Sequence, residues 1–518
     1  MLRIGIDVGG TNTDGVILDE KNNVIAKAKT PTTEDVTTGI INAIDAVLKQ
    51  SGVDPAEIKY AMLGTTHATN AIVERKNLAR IAVIRIGKPA TLAIKPLTSW
   101  PADLVEKVGD NIYIVQGGHE FDGREIAPLD EEEIKKIGKE LKEKNVEAIA
   151  ISSVFSLVNP EHEKKAAEIL REILGDDIPI TLSHEIGSLG LLERENAAAL
   201  NAAVTKVIKT AVDAFKTALA EKGIDAQLYL TQNDGTLMTA DYALKYPVLT
   251  IASGPANSLR GAAFLSNEKN AIVVDVGGTT TDVGILVNGF PRESSVAVEI
   301  GGVRTNFRMP DLISIGLGGG SIVREENGEI KIGPESVGFR IVDEALVFGG
   351  NTLTATDIAV ASGRCVVGDP SKVASLDKNL VAKAMDKIKS MVEEAIEKIK
   401  TSPEPMPVIL VGGGSILVPD ELKGASKVIR PPNYDVANAI GAAIAQVSGE
   451  IDRVFSLDQV GRDKAIEEAK KMAIEEAIKA GADPDTIEIV NFEEIPLAYL
   501  PGNAVRIRVK AAGYLASK

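Results

Sequence analysis

The sequence holds one cysteine, Cys365, among 518 residues. No intramolecular disulfide can form, and no Cys-ligated zinc site can be built within one chain. Reducing cytosol suits such a chain, so a cytoplasmic location is expected. Histidine is also rare. His119, His162 and His184 fall without metal-ligand spacing; His162 reads as a surface helix position, and the other two have no assignment. The formal net charge is −16, and no long basic run is present. Nucleic acid and anionic membrane are therefore not expected as partners. No stretch of about 18 apolar residues occurs, so no membrane span is expected. Met1–Leu2–Arg3 runs straight into a strand-like segment, without the pattern of a secretory leader. Hydrophobic residues make up 44 % and charged residues 25 %, enough for a globular core without staples. This length suggests two to four domains.

What is present is a doubled stretch. "IGIDVGGTNTD" spans Ile4–Asp14, and "IVVDVGGTTTD" spans Ile272–Asp282. Each copy reads strand, Asp, x, Gly, Gly, Thr, x, Thr, Asp, strand. The spacing between copies, 275 minus 7 or 268 residues, is a domain's length with insertions. It therefore marks a duplicated domain and not a solenoid repeat. Gly9–Gly10 and Gly277–Gly278 let the backbone turn sharply and bring its N–H groups to a bulky anion. Thr11, Thr13, Thr279 and Thr281 can donate hydroxyl hydrogens to phosphate oxygens, or can simply reflect the β-propensity of strand starts. Asp7 and Asp275 end their strands where a carboxylate can hold water on Mg²⁺. Asp14 and Asp282 can do the same, orient an attacking oxygen, or only bond within the turn. A plain glycine hairpin explains one copy; two copies with matched offsets point to a phosphate clamp. The loop is followed by a strand, which excludes a dinucleotide-binding fold, and no Gly–Lys–Ser/Thr follows.

Around these loops the apolar pattern predicts a three-strand meander over residues 2–29, then a helix over 34–50. Residues 88–122 read as irregular. A long Ala-rich helix is expected over 195–222. The second half restarts at Ala271, with a long helix over 377–400. "VILVGGGSILVP" (Val408–Pro419) reads as a strand running into a glycine turn and a helix start, and "VANAIGAAIAQ" (Val436–Gln446) as a small-residue helix. After about 450 the composition shifts to a charged helix at 464–479 and short strands at 486–491, 496–500 and 504–511.

Phosphate held between two β-hairpins resembles the nucleotide site shared by actin, the heat-shock ATPases and the sugar and acetate kinases. That resemblance implies an α/β fold with two duplicated actin-like, ribonuclease H-like ATPase domains around a nucleotide cleft. ATP and Mg²⁺ are the implied cofactors. Gly412, Gly413, Gly414 and Ser415 resemble the superfamily's adenosine segment. The expected division is 1–184 for the first domain with insertions, 185–450 for the second, and 451–518 for a small C-terminal α/β appendage.

Further stretches resemble the ATP-dependent hydantoinase and 5-oxoprolinase family, A-type subunit. They are "GTTHATNAIVER" (Gly64–Arg75), "FDGREIAPLD" (Phe121–Asp130), "LLERENAAALNAAV" (Leu191–Val204), "TIASGPANSLRGAA" (Thr250–Ala263), "ISIGLGGGSI" (Ile313–Ile322) and "TATDIAVASGR" (Thr354–Arg364). They occur in family order. The resemblance implies a hydrolase that uses ATP to phosphorylate the carbonyl oxygen of a cyclic amide or imide and so promote ring opening. It also implies a separate B-type subunit as partner; a homo-oligomer stays open. Thr65, Thr66, Asn70, Glu193 and Arg194 become the expected substrate residues, and Gly318 and Gly319 expected nucleotide contacts. His67 is expected as a general acid or phosphate donor, or as a solvent-facing helix start. Glu193 and Arg194 can equally form a surface ion pair. Two features depart from the family pattern: the chain is shorter than the usual A-type subunit, and His67 stands at an apolar position. A small-molecule kinase, or an ATPase that reactivates a partner enzyme, is the alternative reading.

Overall fold

The computed structural model describes residues 1–516 apart from Ser295 and Ala445; Ala445, in the small-residue stretch Val436–Gln446, and the chain end 517–518, in the expected appendage, thus lie outside the described residues. The meander forms as expected. Leu2–Val8 pairs antiparallel with Asn12–Leu18, which pairs with Val24–Pro31. Ile58–Thr65 and then Gln227–Thr231 add in parallel on the other side. The resulting order is third, second, first, fourth, fifth. The same order recurs in the second half. Ala271–Val276 pairs antiparallel with Thr281–Val287 and parallel with Met406–Val411, which Ala425–Ile429 joins. Leu312–Ile315 takes the outer place beside Thr281–Val287. Two α/β units of one topology are therefore present, as the doubled stretch requires.

Buried runs explain why these segments are strands. Ile4, Ile6, Ile17 and Leu63 pack under the helices Val36–Ser51 and Leu191–Glu221, while Ile272, Val274, Val408 and Leu410 pack under Lys378–Ile399. The stretch read as irregular contains structure. It supplies the helix Ala102–Val108 and the strand Asn111–Gln116. That strand edges a separate parallel sheet with Ile81–Lys88, Ala148–Ser153 and Ile180–Leu182. Three prolines hid it from a periodicity reading, although only the flanks of the strand carry them.

The expected boundaries at 184 and 450 do not follow the sheets. The helix Leu191–Glu221 and the strands Gln227–Thr231 and Leu237–Thr239 belong to the first unit's sheet and core. The C-terminal segment is α/β, but it does not stand apart. Gln446–Ser456, Glu488–Pro496 and Ala504–Tyr514 extend the first unit's sheet to nine strands. The alternation in Gln446–Ser456 was masked by its start inside the small-residue stretch, whose helix is only Ala437–Ala443. The expected strands at 486–491 and 496–500 form one strand that ends at Pro496.

Small residues serve one close crossing. Helix Ser253–Ser266 meets helix Ala437–Ala443 at Gly261 and Gly441, where a Cβ would overlap the carbonyls of Ala437 and Asn257. On the other side of Ala437–Ala443, a Cβ on Gly5 would stand 2.8 Å from the Ala439 carbonyl oxygen. Backbone cannot yield as a flexible side chain does, so added volume here forces the helices apart. Gly441→Ala is expected to lower stability by about 1–3 kcal/mol, read as a lower Tm in a thermal melt. A melt equal to wild type contradicts this packing.

Candidate functional site

The two hairpins form alike. Asp7 stands opposite Asp14, and Asp275 opposite Asp282. Gly9 N–H donates to the Asn12 carbonyl at 3.0 Å, and Gly277 N–H to the Thr280 carbonyl at 2.9 Å. The tips meet across a cleft, with Thr11 Oγ1 and Thr279 Oγ1 3.4 Å apart. Both glycine pairs, both threonines, Asp14, Asp275 and Gly412–Gly413 line a cavity of about 460 Å³. Backbone N–H groups, hydroxyls and carboxylates thus converge as a phosphate and its cation require.

The carboxylates are crowded. Asn438 Nδ2 donates to Asp7 Oδ2 at 2.8 Å and to Asp14 Oδ2 at 2.7 Å. Lys29 Nζ pairs with Asp14 Oδ1 at 2.7 Å. Asp7 does not itself line the cavity and stands behind Asp14 and Asn438, with its Oδ1 buried and without a partner among the described residues. Burial first, and then the Asp14 charge, push the Asp7 carboxyl up to about 7. Burial also pushes Asp275 up. An orphaned carboxylate oxygen beside two further carboxylates fits a hydrated divalent cation held by Asp7, Asp14 and Asp275.

Other expected residues sit elsewhere. Asp282 is held by Ser314 and does not line the cavity; burial pushes it up to about 6. Thr281 donates to the Leu317 carbonyl at 2.6 Å, and Thr13 shares a hydrogen bond with Thr32 at 3.2 Å. Neither faces the cleft, because alternate residues of a strand point to opposite sides. Gly318 and Gly319 are buried beneath the second hairpin. Gly319 N–H donates to the Gly277 carbonyl at 3.0 Å, and Gly320 N–H to that of Gly278 at 2.8 Å. They support the loop without lining the cleft. Gly414 and Ser415 are likewise buried behind Gly412–Gly413.

Thr66, His67 and Asn70 line a second cavity, of about 300 Å³, on the far side of the first loop; Gly9 and Gly10 line both. Thr65 is buried and bonds to His67 Nδ1, and burial pushes the His67 imidazole down. His67 is therefore not a solvent-facing helix start. Arg194 does not reach a ligand. It is 1 % exposed, and its guanidinium donates to Ser183 Oγ and to the carbonyls of Ser188 and Ser153. Glu193 faces a third cavity that shares no residue with the other two. His162 is buried, not on the surface. Its Nδ1 accepts from Gly118 N–H at 3.0 Å, so Nε2 carries the proton toward Glu125 at 2.9 Å. Although His119 also approaches, that proton leaves His162 no free lone pair for a metal.

Sequence reasoning missed Lys29, Ser258, Phe339, Asp435 and Asn438, all of which line the nucleotide-sized cavity. Lys29 was within reach: counting back across the turn at Lys21–Asn23 puts it opposite Asp14. Phe339 is a largely exposed aromatic at the rim and has no such local signal.

The sequence model described as "Hydantoinase/oxoprolinase N-terminal region" matches residues 3–174, and that described as "Hydantoinase/oxoprolinase" matches residues 194–369. The acetophenone carboxylase gamma subunit of Aromatoleum aromaticum is 30 % identical, over 70 % of this chain and 53 % of its own length. The caprolactamase subunit alpha of Pseudomonas jessenii is 28 % identical, over 76 % and 59 %. The chain thus spans a little over half the length of these two relatives. The crystal structure of the ATP-dependent caprolactamase from that organism superposes with a TM-score of 0.79 at 20 % identity, covering 100 % of this chain and 88 % of the other.

The native state holds the Asp7 proton more tightly than the unfolded chain does. The stability it contributes is full below the ordinary carboxylate range and is lost as pH rises through about 7. Without divalent cation, Asp7→Asn is expected to melt above wild type near pH 8 and to lose that advantage near pH 4. A gap between the two melts that stays constant with pH would sink the assignment.

Proposed function

The chain belongs to the hydantoinase/oxoprolinase family, and from that premise we propose that it is an ATP-dependent hydrolase of a cyclic amide or imide. The observation that carries this reading is the convergence of both duplicated hairpins on one cavity. The Thr11 and Thr279 hydroxyls and the N–H groups of the glycine turns bind phosphate oxygens, and Gly412–Gly413 with Phe339 border the nucleoside end. Asp7, Asp14 and Asp275 would hold Mg²⁺ through water, and the ion would neutralise charge on the phosphates. The ring's carbonyl oxygen bonds to the γ-phosphorus as the bond to the ADP oxygen breaks. Water adds to the phosphorylated carbonyl carbon, the C–N bond breaks as the ring nitrogen takes a proton, and a second water releases phosphate from the acyl phosphate so formed. Thr66, His67 and Asn70, across the Gly9–Gly10 loop, supply polar groups for the ring amide. A B-type subunit is the proposed partner for the hydrolytic step, and cytoplasm the proposed compartment.

A second reading rests on the relative with 30 % identity, a ketone carboxylase subunit by name. In it the same cleft activates a carboxylation instead. One assay separates the two: ADP release with lactams and hydantoins, or with a ketone and bicarbonate, with and without a B-type subunit. Stimulation by the ring compounds is expected. Stimulation by the ketone alone selects the second reading, and stimulation only by a protein selects a reactivating ATPase. A stable phosphorylated product selects a kinase. Asp7→Ala and Asp275→Ala should each lower turnover at least about a hundredfold, since charge neutralisation dominates phosphoryl transfer; near-normal turnover in either contradicts the paired-loop mechanism.

A further inference from the structure

A cavity of about 670 Å³ lies apart from both cavities at the hairpins. Its walls come from the start of the helix Leu191–Glu221, the hairpin strand Val303–Thr305 and the C-terminal strands of the large sheet. Its volume is that of a small-molecule site. We propose that it binds a small carboxylic acid that also carries an N–H donor, with Arg453 taking the carboxylate and His184 the donor.

The charges around the cavity single out Arg453. Arg308 and Arg508 share Glu450 at 3.1 and 3.3 Å. Arg506 takes Asp452 at 2.6 Å, Lys479 takes Glu476 at 2.8 Å, and Arg304 stands 3.5 Å from Glu193. Arg453 has no carboxylate within 4 Å among the described residues. It donates only to the carbonyl oxygens of His184 and Asp452, each at 2.9 Å. The charges of Asp452, Glu185 and Glu476 reach Arg453 without direct contact, so its guanidinium keeps donors free for a ligand carboxylate to take as paired hydrogen bonds.

His184 is fixed beside it. Glu163, fully buried, accepts from His184 Nδ1 at 3.1 Å, from His184 N–H at 3.1 Å and from Ser183 Oγ at 2.9 Å. Burial pushes the Glu163 carboxyl up, but the hydrogen bond from His184 and the Arg194 charge outweigh it and hold Glu163 below its ordinary value. An ionised Glu163 accepts only, so Nδ1 carries a proton and, in the neutral ring, the lone pair is on Nε2. Nε2 bonds to none of the described residues, and the ring lines the cavity. The site therefore offers one strong donor pair and one oriented acceptor. A lactam opened by water carries a carboxylate and an amine, the same two groups. The assignment stands on the cavity alone and does not require the proposed reaction.

Isothermal titration of the full chain with L-glutamate, 6-aminohexanoate and the neutral diamide glutaramide tests it. The two amino acids are expected to bind and the diamide not. Arg453→Lys, which keeps the charge but loses the planar fork, should weaken both amino acids roughly tenfold or more. His184→Asn should weaken them as well. Binding of a non-hydrolysable ATP analogue should be unchanged in both variants, which separates this site from the cleft. Failure of both amino acids to bind wild type overturns the proposal, as does undiminished binding by either folded variant.

Discussion

Asp7 and Asp14 face each other across the first hairpin, and the amide of Asn438 holds one oxygen of each. Two like charges this close persist only with donors, a lysine or a cation between them. The rest of the cleft follows from keeping that amide in place. Asn438 sits on the short helix Ala437–Ala443, which must lie against Leu2–Val8 on one side and Ser253–Ser266 on the other. Glycines at 5, 261 and 441 make this possible, since each stands where a side chain would meet backbone. A residue about 430 positions away in sequence thereby becomes part of the first hairpin's electrostatics.

The duplication is exact in register and unequal in use. The first hairpin gathers charge: Asp7, Asp14 and Lys29 meet there. The second gathers backbone. Its loop rests on the amides of Gly319 and Gly320, and its own Asp282 is turned to Ser314. The two loops thus share one register and differ in what supports them.

The hairpins, the cleft and Asp7 with Asp275 were legible because short-range spacing fixes them. A strand, two glycines and a strand leave little freedom, and the second copy removed the ambiguity. Thr13 and Thr281 were misplaced for the opposite reason: composition names a hydroxyl, but the pleat decides which side it faces. Gly318 and Gly414 were misread as contacts because a glycine needed for close packing looks the same as one needed for an anion. Arg194 looked like a ligand group, and its burial among three oxygens is a tertiary fact. Asn438 and Phe339 depend on chain crossings that no local pattern encodes.

The large sheet joins strands from residues 2–31 with strands from residues 446–514. Its inner strand Leu237–Thr239 meets Gln446–Ser456 through one residue pair, Leu237 with Val447, reinforced by Lys510 on buried Asp234 and by Thr236 on Ser448. On the ribosome, Leu2–Val8 and its neighbours emerge well before Gln446–Ser456, so the edge at Leu237–Thr239 stays open until those later strands arrive. The sheet thus carries an unfinished border while the second unit is being made. The floor of the 670 Å³ cavity, made by Glu450–Arg453, Arg506 and Arg508, exists only once the strands Gln446–Ser456 and Ala504–Tyr514 have joined the sheet.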